Sequence, residues 1–252
     1  MKPSSRLMLL AALISLAVTT LSCKKVLDKL YKDPLATLDA CYINQITTAD
    51  DGRIYDFTYN KKGNPVSVLN NNVGTGYPNY FFRYDKHHRL TDMIGVYTNG
   101  NYERWHKYGY DHQNRIVKDT QYVFGVFGPA PDPASVFIIV HTYSYDSYQR
   151  LTGDNAIYLQ PSDYSGFTNT YNYDGDGNRI GGVYDNKVNL HRTNKIWMFV
   201  DKDYSLNNRI GASSYNSNML PLGFGASTSM NFLGVAIHNS EIDYTCKGDS
   251  KK

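Results

Sequence analysis

The residues best suited to bind a metal ion form an incomplete site in this sequence. Asp174, Asp176 and Asn178 have the oxygen spacing of the first half of a calcium-binding loop. Asp185 stands where the last ligand of such a loop would be. The sixth position is Arg179, where the loop needs glycine, and an arginine cation beside calcium is unfavourable. We therefore interpret this segment as a turn and expect no metal ion.

Histidines and catalytic motifs lead to a similar expectation. Four histidines fall in no ligand pattern with a carboxylate or cysteine, namely His87, His88, His106 and His112. Gly-x-Ser-x-Gly, His-Glu-x-x-His and phosphate-binding loop motifs are absent from the sequence. We expect a protein that is not an enzyme and has no cofactor. A hydrolase with two catalytic carboxylates stays an alternative, because the distance between carboxylates depends on the fold.

Aromatic residues are the remaining candidates for ligand binding. The chain has 23 tyrosines, 10 phenylalanines and 2 tryptophans, and such rings suit both half-buried strands and contacts with sugar rings. The candidates for an exposed aromatic platform are Tyr102, Trp105, Tyr164, Phe167 and Trp197. Packing within a sheet is the alternative role for these residues.

The first residues of the chain have the pattern of an export signal. Lys2 and Arg6 precede an apolar run from Leu7 to Val18, which is too short to span a bilayer. With Leu21-Ser22-Cys23, the segment resembles a lipoprotein signal peptide that is cleaved before a lipidated Cys23. An ordinary secretory signal is the alternative, and either one predicts export.

This resemblance predicts a domain organisation and a location. Residues 1–22 would be the signal peptide, 23–37 a lipid-anchored tether, 38–246 the folded domain and 247–252 a disordered tail. We expect an exported protein that is anchored to the outer membrane of a Gram-negative-type envelope, on its periplasmic or surface face. Without Lys2 and Arg6, 24 basic residues face 23 acidic ones, so nucleic acid is not an expected partner. We expect a monomer.

Export also determines how the other two cysteines are interpreted. Cys41 and Cys246 bracket the predicted domain, and an oxidising compartment favours a disulfide between them. Two buried free thiols are the alternative.

A degenerate repeat runs through the predicted domain. Each copy has Tyr followed by Asp or Asn, and most copies have Arg four or five residues later. The copies are Tyr59-Asn60, Tyr84-Asp85 with Arg89, Tyr110-Asp111 with Arg115, Tyr145-Asp146 with Arg150, and Tyr173-Asp174 with Arg179. Weaker copies begin at Tyr204 and Tyr215. We interpret each copy as a β-hairpin whose Asp or Asn starts the turn, with a structural Arg that contacts its carboxylate or a tyrosine ring.

The motif Tyr-Asp-x-x-Gly-Asn-Arg at 173–179 resembles the YD repeats of the RHS class. With the lipobox and the closing Cys246, the chain is similar to a family of uncharacterised bacterial lipoproteins described as having a porin-like fold. The resemblance covers residues 38–246 and concerns architecture.

These observations predict an all-β fold. About ten strands would form an antiparallel up-and-down meander, strongly curled or closed into a soluble barrel-like sheet, because flat sheets of this size are rare and closure removes exposed edges. The function that fits is a lipid-anchored cell-envelope protein that binds a glycan, a peptide or a partner protein. A structural or assembly component of the envelope is the main alternative, and it predicts an exposed apolar patch.

Overall fold

The computed structural model describes residues 28–38, 41–226 and 230–247. In these residues the fold is all-β apart from a helical segment at 28–32 and a short helix, α1 (Lys195–Val200), after a 3-10 turn at Leu190–Thr193. The strands are β1 (Cys41–Thr48), β2 (Ile54–Tyr59), β3 (Pro65–Asn70), β4 (Asn79–Tyr84), β5 (Leu90–Val96), β6 (Asn101–Tyr110), β7 (Ile116–Val126), β8 (Phe137–Tyr145), β9 (Leu151–Gln160), β10 (Phe167–Thr170), β11 (Tyr184–Val188), β12 (Asn207–Arg209), β13 (Ala212–Tyr215), β14 (Pro221–Phe224), β15 (Asn231–Phe232), β16 (Val235–Ala236) and β17 (Ser240–Cys246).

Thirteen of the described strands form one antiparallel sheet, and the predicted meander is confirmed. Strands β1 to β10 lie side by side in sequence order, and β17, β14 and β13 continue the sheet beyond β1. β17 pairs with the free edge of β1, which places Cys41 opposite Cys246, and a disulfide joins the two. The pairs β11–β12 and β15–β16 form small separate ribbons.

The prediction that the sheet is strongly curled or closed is wrong. Closure needs β10 to pair with β1, but β17 already occupies that edge of β1, so β10 and β13 remain the two edges. The sheet covers its apolar side in another way. Residues 190–204 and 230–237 pack against one side, which we call the inner face, and cover it as the opposite wall of a closed barrel would.

Aromatic residues of alternate strand positions build the core on the inner face. Trp197 of α1 contacts the rings of Phe57 and Phe82, with centroids 5.8 and 5.5 Å apart. Phe199 contacts Tyr108 and Tyr143 in the same edge-on way, at 5.5 and 5.3 Å. α1 therefore lies across strands β2 to β8 and holds the sheet to the segment that covers it.

The repeat turns have one common geometry. Asp111 accepts hydrogen bonds from the backbone N–H groups of Gln113 and Arg115, both at 2.9 Å. Asn114 has a positive φ of 60°, as the fourth residue of this turn requires. The first residues of the other turns accept the same two backbone bonds; they are Asn60, Asp85, Asp146, Asp174 and Asn216. Asn216 belongs to the weaker copy at Tyr215, so that copy folds as a repeat turn.

Successive copies are joined by their tyrosines and arginines. The hydroxyl of Tyr110 donates to the carbonyl of Leu90 in the preceding copy, at 2.8 Å. Arg89 binds its own Asp85 through Nε at 2.7 Å and places its guanidinium over the Tyr110 ring, 4.8 Å from the centroid. The sequence predicted that the arginine contacts either the carboxylate of its own turn or a tyrosine ring, and Arg89 makes both contacts. Arg179 differs, since its guanidinium lies over Tyr171.

This pattern repeats along the sheet. Arg115 lies over Tyr145, Arg150 over Tyr173, and the hydroxyls of Tyr145 and Tyr173 donate to carbonyls of the preceding copy. The turns at 60–64, 85–89, 111–115 and 146–150 join alternate strand pairs, so they lie at one end of the sheet, which we call the turn end.

Residues 28–37, assigned to a tether from the sequence, pack on the domain. Residues 28–32 are helical, and Leu30 is buried. Arg192 donates to the carbonyls of Pro34 and Ala36, while its own carbonyl accepts from Leu38 N–H at 2.7 Å. The predicted signal peptide, Cys23 and residues 248–252 lie outside the described residues. Within the described ranges, no helix is long and apolar enough to cross a membrane.

Candidate functional site

A cavity of about 340 Å³ lies between the inner face and the segments around residues 199–202 and 231–234. Tyr80, Tyr108 and Phe199 form much of its apolar wall. Its charged, imidazole and amide side chains come from β6, from β7 and from the covering segments, and we call it the inner-face cleft. These side chains are Arg104, His106, Asp119, Gln121, Asp201, Lys202 and Asn231.

A histidine–aspartate pair lies in the wall of the inner-face cleft. His106 Nδ1 of β6 lies 2.7 Å from Asp119 Oδ2 of β7, and the Asp119 side chain is 3% exposed. Tyr143 of β8 donates its hydroxyl to the same oxygen at 3.3 Å. Burial, with the negative charge of Asp119, raises the pKa of Tyr143, so its hydroxyl stays a hydrogen-bond donor.

A second pair of the same kind follows on the next two strands. His141 Nδ1 of β8 lies 2.7 Å from Asp154 Oδ1 of β9. Gln121 links the two pairs, since its Oε1 lies 3.3 Å from His141 Nε2 and its side chain borders the cleft. Lys202 Nζ approaches Asp154 at 3.8 Å from the covering segment. The result is one polar network across β6 to β9.

Both pairs occupy the same two positions of the repeat. The histidine stands five residues before the Asp of the turn, and its carboxylate partner stands eight residues after that Asp. In the first copy these positions hold Tyr55 and Val68, and in the second they hold Tyr80 and Met93, all of them buried. The repeat fold is therefore compatible with apolar residues at positions where the third and fourth copies have charged or polar ones.

The side chains of the inner-face cleft can donate and accept hydrogen bonds. Asp119 holds Nδ1 of His106, so Nε2 is left as the ring nitrogen available to the cleft. The described residues contain no group of three or more His, Cys, Asp or Glu side chains that could hold a metal ion.

A smaller polar cavity of about 220 Å³ adjoins the inner-face cleft at Asp201 and Asn231. Buried His191 lies between Asp201 at 3.0 Å and Asp203 at 3.7 Å. Burial opposes the charged form of His191, but the hydrogen bond and the charges of Asp201 and Asp203 outweigh it, so the pKa of His191 is raised. Burial likewise opposes ionisation of Asp203, yet His191 and two hydrogen bonds from Ser205 help to keep its pKa low.

Three of the five predicted platform residues are not exposed. Trp197 lies in the core, and Trp105 and Tyr102 are fully buried on the other face of the sheet. Trp105 donates Nε1–H to Asp92 at 2.7 Å, and the hydroxyl of Tyr102 lies 2.5 Å from Ser135 Oγ. The loop at 127–135 folds back over them, which the sequence could not show. These three residues therefore make packing contacts and form no exposed platform.

The other two predicted platform residues are exposed at the β10 edge. Tyr164 is 52% exposed and contacts the rings of Phe137 and Tyr158, at 5.6 and 5.4 Å. Phe167 is 42% exposed and contacts His141 at 5.9 Å. Their role in ligand binding stays a prediction. Of the two histidine–aspartate pairs, only His106 was a candidate from the sequence, as a metal ligand. Asp119, His141 and Asp154 belong to no predicted motif, and the signal that identifies them is a position-by-position comparison of the repeat copies.

Comparisons with known proteins do not identify a function for the inner-face cleft. Neither a protein-family model nor a curated protein matches the chain. The solved structure of TcdB2-TccC3-Cdc42 resembles 53% of this chain, with a TM-score of 0.31 and 15% identity, and that of TcdB2-TccC3-TEV resembles 52%, with a TM-score of 0.29 and 14% identity. The matched part is 8% of each of those chains. Similarity at this level supports no conclusion about function.

Proposed function

We propose that the chain is a lipid-anchored cell-envelope protein that binds a glycan, without catalysis, in the inner-face cleft. The observation that carries the proposal is the replacement of apolar repeat positions by two histidine–aspartate pairs beside this cavity. Buried polar groups cost free energy unless they are paired, so an apolar pair like that of the second copy would serve the fold at least as well.

A glycan fits the composition of the inner-face cleft. Sugar hydroxyls donate and accept hydrogen bonds, and the cleft offers donors on Arg104, Lys202 and Asn231 and an acceptor on Gln121. Tyr80 and Tyr108 supply aromatic wall for the apolar faces of sugar rings. A volume of about 340 Å³ is near the lower end of ligand cavities, which suits a short segment of a glycan.

Two other functions have an observation in their favour. The free Nε2 of His106, oriented by Asp119, has the arrangement of a general base and favours a hydrolase. Exposed apolar side chains on the outer face favour a structural component that packs against another envelope protein; they include Ile157, Leu159 and Val126.

The test is a titration of the mature protein with defined oligosaccharides from bacterial and plant polysaccharides. A ligand at 100 times its Kd should stabilise the fold by about 2.7 kcal/mol, which raises Tm by roughly 5–10 °C for a domain of this size. Gln121→Ala should abolish the shift, whereas Thr120→Ala, one residue away on the other face, should leave it unchanged.

Other outcomes of this titration would favour a different binding site or a different function. A shift that is equal in Gln121→Ala and the parent places binding outside the cleft and contradicts the proposal. Shortened oligosaccharides in the mixture, detected by mass spectrometry and lost in His106→Ala, establish the hydrolase instead. No saturable binding by any glycan, together with co-purification of an envelope protein that is lost on Ile157→Ser, establishes the structural role.

A further inference from the structure

The turn end carries a cluster of exposed lysines. Hairpins of the repeat, the first helical turn and the start of α1 all contribute to it. The lysines are Lys29, Lys32, Lys61, Lys62, Lys86 and Lys195. Lys247, next to the disulfide, adds a seventh.

Three carboxylates at the turn end are already neutralised by arginines of their own turns. Asp85 forms an ion pair with Arg89 in its own turn, and the turns at 111–115 and 146–150 contain the same pair. The remaining carboxylates of the described turn end are Asp28, Asp33, Asp174 and Asp176, against seven lysines. The turn end therefore has an excess of positive charge.

The opposite end of the sheet has the reverse character. Its hairpins at 49–53, 71–78, 97–100, 127–135 and 161–166 contain no lysine. Their charged residues are Asp50, Asp51, Arg53, Asp132 and Asp163. The chain as a whole is close to neutral, so this separation of charge gives the domain a strong electrostatic axis along its strands.

The described chain also enters the domain at the turn end. Lys29 and Asp33 border a cavity shared with Gly63, His88 and Arg89. Tyr31 and Pro34 lie beside the turns that contain Tyr148 and Asp174. Residue 28 is therefore next to the lysine cluster. A lipid anchor shortly before residue 28 would hold the turn end, of the two ends of the sheet, closer to the membrane.

We propose that the turn end binds the anionic headgroups of a lipid bilayer and fixes the orientation of the domain on the membrane. The proposal rests on the lipid anchor at Cys23 for its physiological setting. Five residue steps separate Cys23 from Asp28 and span at most about 18 Å. At that distance the lysines reach the surface layer, which is about 8–10 Å deep at physiological salt, and a basic patch is the usual second signal beside acyl chains.

This orientation has a consequence for the inner-face cleft. His106 is the sixth of the ten residues of β6, five residues before Asp111 of the turn, which is about 16 Å along an extended strand. With the turn end on the bilayer, His106 and the cleft would lie above the headgroups, on the inner face of the sheet. A ligand in the aqueous phase would then reach it without passing the membrane surface.

The test measures membrane binding by the lysine cluster separately from membrane binding by the lipid anchor. The mature protein with Cys23→Ser carries no lipid. Its binding is measured by sedimentation with vesicles of phosphatidylcholine alone or of phosphatidylcholine with about 30% phosphatidylglycerol, which have an anionic surface. We expect binding to the anionic vesicles only, weakened by raising the salt concentration. Each lysine near such a surface contributes about fivefold to binding, so Lys61→Gln, Lys62→Gln and Lys86→Gln together should weaken it on the order of a hundredfold.

The matched control removes the same charge elsewhere. Arg53→Gln removes one positive charge from the hairpin at 49–53, at the opposite end of the sheet, and should weaken binding less than about twofold, whereas Lys61→Gln alone should weaken it about fivefold. Equal weakening by these two single variants, with unchanged Tm, would show a dependence on net charge alone and overturn the proposal, as would equal binding to neutral vesicles. Mass spectrometry of the membrane-bound parent reports separately whether Cys23 is acylated, so failure of the anchor and failure of the lipid-binding surface are distinguishable.

Discussion

Replacing the third-copy histidine–aspartate pair by the residues of the second copy tests whether the pair serves binding or folding. The variant His106→Tyr with Asp119→Met gives the third copy the pair that Tyr80 and Met93 form in the second. The backbone register at the two positions is the same, because both copies place them across a hairpin with the same turn. We expect this double variant to fold and to lose ligand binding in the inner-face cleft.

The expected stabilities follow from the burial of Asp119. Its carboxylate is 3% exposed and accepts from His106 and Tyr143, so Asp119→Met alone leaves two buried polar groups without their acceptor. Removing one member of such a pair typically costs about 3–5 kcal/mol. Replacing both members by apolar residues is often neutral or stabilising. At about 2–4 °C per kcal/mol, the single variant should melt at least about 6 °C lower and the double variant near the parent.

The assay is thermal unfolding of the parent, both single variants and the double variant, followed by glycan titration of those that fold. The pattern expected is a large loss of stability in Asp119→Met that His106→Tyr restores, with no binding in the double variant. If the double variant is as unstable as Asp119→Met, the pair is part of the fold and the argument from the repeat positions fails. If the double variant binds normally, the ligand does not use this pair.

Three further predictions concern stability. Replacing Cys41 and Cys246 by serine should lower the free energy of unfolding by up to about 5 kcal/mol, because the disulfide closes a loop of 205 residues; unfolding in denaturant measures this, and an unchanged midpoint would contradict it. Trp105→Ala should cost about 3–5 kcal/mol in the same assay, whereas exposed Tyr164→Ala should change stability by less than about 0.5 kcal/mol. The raised pKa of His191 stabilises the fold in full below about pH 6.5, and this contribution is lost as pH rises through the folded-state value. The stability difference between the parent and His191→Gln should therefore shrink from pH 6 to pH 9, and a constant difference would refute the charge argument.

The repeat could be predicted from the sequence because each copy is local. Asp111 and Arg115 are four residues apart, and the hydrogen bonds that define the turn join residues within that span. The stacking of Arg89 on Tyr110 joins adjacent copies, so it follows once the copies are recognised. The open sheet could not be predicted in this way. It depends on the pairing of β1 with β17 and on the placement of residues 190–204 and 230–237 against the inner face, and both join parts of the chain far apart in sequence.

Burial of single aromatic residues was also beyond the sequence. Tyr102 and Trp105 are three residues apart in β6, and a register shift between Tyr102 and Arg104 brings both rings to one face. The loop at 127–135 then covers them, with Ser135 at the Tyr102 hydroxyl and Phe127 at the Trp105 ring. Trp197 lies in α1, a helix that the sequence did not predict. Composition indicates that rings are abundant, but whether a given ring is exposed depends on which loop covers it.

The covering segment surrounds the two variable positions to a different extent in different copies. Val68 belongs to the core that packs against Trp197 and β15–β16, and a charged residue there would lie in a closed apolar interior. Met93 belongs to the same core but also borders the inner-face cleft, and Asp119 borders the cleft with its partner His106. A sheet whose turns and tyrosine contacts are complete without these positions can therefore carry polar residues where the apolar core ends. We expect for this reason that a paired substitution of His106 and Asp119 changes binding at the proposed site and leaves the fold intact.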